Sequence, residues 1–269
     1  MIPLSLAPSL LQGVLGLASG SLVGFVLGLV GGGGSILAVP LLIYLVGVES
    51  PHVAIGTAAV AVAASAAINL VNHARGGTVK WRCAGVFAGS GIVGAFLGST
   101  IGKMVDGQAL IAAFAVLMLV VAALMVRRKD KGTGAEVRLG RENAPKLVGF
   151  GLAAGALSGF FGIGGGFLIV PGLALATGMP MLYAVGSSLV AVTAFGLTTA
   201  ANYAASGLVD WTLAGLFVAG AFLGGLLGAR SARQLSGTKG ALNRVFAALI
   251  VAVALFMLAQ SLPAALSLF

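Results

Sequence analysis

The chain has 269 residues, of which 59% are hydrophobic and only 8% charged, with 43 glycines and a net charge of +9. An average soluble domain carries roughly 25% charged residues, so an ordinary soluble fold is excluded, and a single cysteine, Cys83, rules out an internal disulfide or a multi-cysteine metal centre. The basic residues sit in short loops between apolar segments, the pattern of a polytopic membrane protein and not of a nucleic-acid binder.

Met1 to Gln12 carries no Lys or Arg and so lacks the basic region of a cleavable signal peptide; the first apolar segment, residues 10–30, reads as a permanent span. Further apolar segments cover 35–48, 52–72, 82–102 and 108–126, then 147–161, 167–177, 181–203, 212–230 and 241–260. About 20 residues of helix are needed to cross a hydrocarbon core of about 30 Å, and the second segment of each five is too short. Between the two sets, Arg127 to Lys146 holds ten charged side chains and is too short to fold alone. It reads as a linker between a first membrane unit, residues 1–126, and a second, residues 147–269.

The two units repeat one design. Gly28 to Pro40 aligns with Gly159 to Pro171 at an offset of 131 residues, which falls to 130 after one gap. Gly56 then meets Gly186, Thr57 meets Ser187, Asn72 meets Asn202, Gly77 meets Gly207, and the chain's two tryptophans, Trp81 and Trp211, meet each other. Loop charges set the relative orientation. After the third segment the first half carries His73, Arg75, Lys80 and Arg82 where the second carries only Asp210. After the fourth, Lys103 and Asp106 stand against Arg230, Arg233, Lys239 and Arg244. Because Lys and Arg mark cytoplasmic loops, equivalent loops face opposite sides. The expected fold is an all-α polytopic membrane protein of two inverted repeats, about five segments each, with glycine-rich broken helices, a cytoplasmic linker and both termini outside.

Residues 146 to 203 must cross three times, yet 58 residues of helix reach only about 87 Å against about 90 Å for three spans. The glycine clusters are therefore expected at membrane depth, as breaks between half-helices near the midplane. Gly31, Gly32, Gly33, Gly34 and Ser35 form the first cluster, and Gly162, Gly164, Gly165 and Gly166 the second. Bare backbone N–H groups at the start of a helix favour an anion. Thr57, Ser187 and Ser188 open the next segments and add hydroxyl donors. Asn69 and Asn72, with Thr199 and Asn202 in the other half, share helical faces that either line a pore or bond between helices. No Asp, Glu, Lys or Arg falls in the middle of an apolar segment, so no metal or cofactor is expected. Glu49 and His52 lie beside the short segment near the surface, and His73, which aligns with Tyr203, reads as an interface residue.

Gly28 to Pro40 and Gly159 to Pro171, each followed by a Gly-Thr or Gly-Ser pair and later by an Asn and a Trp, resemble the sulfite exporter TauE/SafE family of membrane permeases. The resemblance implies export of small sulfur-containing anions such as sulfite or organosulfonates across the bacterial inner membrane. The partners are then a small anionic substrate and the lipid bilayer, with no nucleic acid and with room for a homo-oligomer. The second cluster reads Gly-Ile-Gly-Gly-Gly where the first reads Gly-Gly-Gly-Gly-Ser, so the two need not bind substrate equally. An anion channel would use the same helix ends without saturation. An intramembrane enzyme would need a nucleophile with its base, or a metal cluster, at membrane depth, and the sequence shows no such set.

Overall fold

A computed structural model describes residues 10–127, 143–162 and 166–235, together with positions 248, 251–252 and 255. Among the described residues every regular element is helical. Six helices are long and apolar enough to cross a membrane: α1 (Leu10–Val30), α3 (Pro51–Arg75), α4 (Trp81–Gly102), α6 (Ala144–Phe161), α8 (Met181–Ala204) and α9 (Trp211–Leu235). Between them lie α2 (Ala38–Pro40), α5 (Gly107–Arg127) and α7 (Gly166–Thr177). The expected segment 241–260 and most of the linker fall outside the described residues. α6 begins at Ala144, with Pro145 in its first turn.

Local chemistry sets the boundaries. Ser50 caps α3, its Oγ accepting from the Val53 N–H at 3.4 Å, and Pro51 follows in the first turn. The loops after α3 and α8 turn through Gly77 and Gly207, whose φ values of 68° and 69° suit glycine. Residues 35–48, expected as one short helix, are divided. Consecutive glycines favour a tight 3-10 turn over Gly31–Leu37, and Pro40, which has no N–H to donate, precedes a wide π turn at Leu41–Leu45. α6 ends where Gly162 adopts φ 67°.

Helices pack in reciprocal pairs between the halves. α1 runs alongside α9 in the same direction: Gly20 and Gly24 face Phe217 and Ala221, while Gly220, Gly224 and Gly228 face Leu17, Ser21 and Phe25. α4 and α6 repeat this arrangement, with Gly94, Gly98 and Gly102 against Leu152, Ala156 and Phe160, and Gly151, Gly155 and Gly159 against Phe87, Gly91 and Ala95. A Cβ at any of these glycines would run into backbone of the partner helix. Lipid gives no hydrophobic drive between helices, so small residues every fourth position let the backbones close.

The central pair, α3 and α8, runs antiparallel. Gly56, near the start of α3, faces Tyr203 at the far end of α8 and Leu208 beyond it, while Gly186, near the start of α8, faces Thr78 beyond the end of α3. They cross where Gly196 meets Ala63. The chain turns back after α1, bringing Gly34 against Val26 and Leu27, and Gly31–Leu37 packs on α7. Ile36 and Leu42 of one half join Ile169, Val170 and Leu173 of the other in a fully buried centre. Large apolar side chains on α4 and α9, among them Phe96, Leu97, Leu223 and Leu227, face outward as a lipid-facing surface does. Trp81 and Trp211, first in those helices, are exposed where interfacial anchors belong.

Candidate functional site

Two of the expected hydroxyls occupy equivalent places. Thr57 Oγ1 accepts from the Asp210 N–H at 2.9 Å, and Ser187 Oγ accepts from the Lys80 N–H at 2.8 Å. Each ties the second turn of one central helix to the loop that follows the other. As acceptors in these bonds, both hydroxyls keep a proton to donate elsewhere. Ser187 and the C-terminus of α8 are 17 residues apart, so Thr57 and Ser187 stand on the order of 25 Å from each other, at opposite ends of the pair.

The glycine clusters divide in the same way. At the Ser187 end, the His73 imidazole spans Thr78 Oγ1, at 3.0 Å from Nδ1, and the Gly28 carbonyl, at 3.1 Å from Nε2. A carbonyl only accepts, so Nε2 carries a proton. That contact sets the end of α1, and with it the start of Gly31–Leu37, beside the end of α3. Ser35 and Ser188 are fully buried here, and the Ser188 hydroxyl donates to the Val185 carbonyl at 2.7 Å. Lys80 Nζ lies 4.6 Å above the Tyr183 ring. At the Thr57 end, Gly162 packs against Ile55, two positions before Thr57, and α7 begins at Gly166. Gly164 and Gly165 lie outside the described residues. Of the two clusters, Gly31–Leu37 packs on α7, the helix that follows the second cluster, and Gly162 packs on the Thr57 end of α3.

The face residues have separate surroundings. Asn202 donates from Nδ2 to Ser99 Oγ at 2.6 Å and Thr100 Oγ1 at 2.9 Å, and its Oδ1 accepts from Lys103 Nζ at 2.7 Å. It joins α8 to α4. Asn69 Nδ2 donates to the Ser65 carbonyl at 3.0 Å, and its amide packs on Gly225 of α9. Asn69 Oδ1 and Thr199 Oγ1, at equivalent positions, are both buried without a partner among the described residues. Asn72 is half-buried, and its carbonyl accepts from Gly76. A groove between α3 and α8, lined by alanines with Val60, Thr193, Leu197 and Trp211, is too apolar for an anion, the Thr193 hydroxyl already donating to the Leu189 carbonyl. Among the described residues no three His, Cys, Asp or Glu side chains gather as metal ligands.

Sequence reasoning did not select His73, Thr78 or Tyr203 as site residues. The alignment of His73 with Tyr203 was the available signal. It marks a position where both halves keep a large polar ring beside a glycine turn.

A family model described as "Sulfite exporter TauE/SafE" matches residues 16–257. The chain is 52% identical over 249 residues to a probable membrane transporter protein of Xylella fastidiosa, covering 92% of this chain and 95% of that one. It is 31% identical over 244 residues to the probable membrane transporter protein YunE of Bacillus subtilis, covering 82% and 88%. An archaeal protein of Methanocaldococcus jannaschii, also named a probable membrane transporter, is 29% identical over 167 residues, 58% of this chain and 60% of its own. No solved structure matches.

Proposed function

The chain belongs to the sulfite exporter TauE/SafE family, and we propose that it is a carrier exporting small sulfur-containing anions such as sulfite or organosulfonates. In this reading two inverted repeats, residues 1–126 and 147–269, sit in the bacterial inner membrane, joined by a cytoplasmic linker and with both termini outside. The observation that carries the proposal is the reciprocal pair of bonds, Thr57 to Asp210 and Ser187 to Lys80, at opposite ends of antiparallel helices. Equivalent residues making the same contact at opposite ends are what an inversion produces. The parallel pairing of α1 with α9, and of α4 with α6, supports the same symmetry.

Each end combines a glycine turn, the start of a central helix and a buried hydroxyl. Such a half-site offers N–H and O–H donors and the positive end of a helix dipole. A small oxyanion, whose several oxygens accept hydrogen bonds, fits that set. Transport then passes the anion between the two half-sites, one end parting while the bond at the other holds. Affinity belongs in the micromolar to millimolar range, about 4 to 8 kcal/mol, because a carried ligand must also leave.

Purified protein in liposomes provides the test. Sulfite and methanesulfonate should cross, with saturation, in the presence or absence of a pH gradient. Movement of nickel or cobalt with no movement of sulfur oxyanions would overturn the proposal.

A further inference from the structure

The Thr57 end holds two buried polar atoms that the fold leaves unmatched. Tyr203 is fully buried on the Gly56 face of α3, and its hydroxyl has no hydrogen-bond partner among the described residues. One helical turn before Gly56, His52 presents Nδ1, also buried and also without a partner among the described residues. The two rings stand 6.4 Å apart between centroids and are inclined by 36°. A hydroxyl buried without a partner is costly, and a polar pair of this kind in an apolar bundle points to a bound group that supplies the missing bonds.

The other half of the molecule shows what satisfaction looks like at the same place. There His73 occupies the position of Tyr203, and both its ring nitrogens have partners, Thr78 Oγ1 and the Gly28 carbonyl. The position equivalent to His52 is Leu182. The unmatched pair is therefore peculiar to one end, and repeat symmetry does not explain it.

The surroundings favour negative charge. Lys103 Nζ lies 6.0 Å from the centre of the Tyr203 ring and is held by Asn202 and Ser206 through the Asn202 carbonyl, Asn202 Oδ1 and Ser206 Oγ at 3.1, 2.7 and 2.8 Å. None of these acceptors is a carboxylate, so the ammonium is fixed in place without being neutralised by contact. Of the acids at this end, Glu49 and Asp106 are exposed, and Asp210 Oδ1 accepts from the Leu213 N–H. The start of α3 adds its own positive partial charge beside His52.

We infer that Tyr203 and His52 form an oxyanion subsite at this end, the phenol O–H and the imidazole Nδ1–H each donating to an oxygen of a sulfite or sulfonate group. This rests on the carrier reading above. It deepens that reading by assigning the two ends unequal chemistry: here unengaged side-chain donors meet the anion, whereas at the other end the aligned ring is bonded to the protein.

Tyr203→Phe deletes only the hydroxyl, and His52→Gln provides a second, independent removal of the imidazole. In proteoliposomes, each should raise the KM for sulfite and for methanesulfonate about tenfold, the effect of losing one hydrogen bond to a charged group, with maximal flux little changed. In detergent, sulfite should raise the melting temperature of the original protein. Tyr203→Phe should melt no lower than that protein when ligand-free, and should lose most of the sulfite shift. Unchanged KM and unchanged sulfite protection in both variants, with the original protein still transporting sulfite, overturn the subsite and leave the carrier standing. A Tyr203→Phe variant that melts lower without ligand and keeps its KM assigns the hydroxyl to an internal water, which also overturns the subsite. Failure of the original protein to move any sulfur anion refutes the carrier reading itself.

Discussion

Removing the Thr57 hydroxyl should open one end of the molecule, and removing the Ser187 hydroxyl should open the other. Thr57→Val keeps the side-chain shape but leaves the Asp210 N–H without its acceptor, and Ser187→Ala does the same to the Lys80 N–H. Both bonds are part-buried, so the loss falls in the lower part of the range for an unpaired buried donor, about 1 to 2 kcal/mol. That shifts the ratio of open to closed at the affected end roughly five- to thirty-fold. Ala54 and Ala184, equivalent positions that are both fully buried, serve as reporters once replaced by cysteine, with Cys83→Ala removing the chain's one native thiol. Labelling by a small hydrophilic thiol reagent measures opening at each end. Thr57→Val should accelerate labelling at Ala54→Cys and slow it at Ala184→Cys, Ser187→Ala should do the reverse, and the double variant should return both rates toward their starting values. Acceleration of both reporters by either single change would mean general loosening. Neither that result nor two unchanged reporters is compatible with ends that open in alternation.

Gly162→Ala should abolish most flux, because φ 67° strains a side chain by about 1 to 2 kcal/mol and the new Cβ meets Ile55, whereas Gly178→Ala, equally strained at φ 71° but in open space, should keep it. Gly94→Val and Gly224→Val should fail earlier, in yield of monodisperse protein, since their side chains meet backbone of Leu152 and Ser21; Gly89→Ala and Gly215→Ala, with nothing nearby, should purify normally. Arg75→Cys and Ala205→Cys, exposed and equivalent in the repeat, should react with an impermeant thiol reagent from opposite sides of intact cells and inverted vesicles, and labelling from one common side would contradict the inversion.

The order of the helices was legible because lipid imposes both length and hydropathy, and Trp81 and Trp211 are rare enough to set the register of the duplication. The role of most glycines was legible too, since four-residue spacing in apolar helices has one common physical use. Depth was not legible. Two aligned glycine clusters read as facing partners near the midplane, and their sequence carries no signal of how deep each one lies. Nor could the fate of Asn202 be read from its helical face, because Lys103, which fixes its Oδ1, stands 99 positions earlier on another helix. The stretch from Gly31 to Leu45 shows an apolar run typical of a helix, yet four successive glycines and Pro40 weaken the backbone bonds that a single α-helix needs. Tyr203 and His73 align, but an alignment of two polar rings does not tell which one has a partner.

The central claim, a carrier with a half-site at each end, is tested most directly by counterflow. Proteoliposomes loaded with millimolar unlabelled sulfite and diluted into a trace of sulfur-35 sulfite should accumulate label transiently above the equilibrium level, because a carrier returning from each outward trip brings label in. The overshoot should vanish when the interior holds no sulfite. Sulfite flux that equilibrates with no overshoot at any internal concentration would contradict the account and identify a channel.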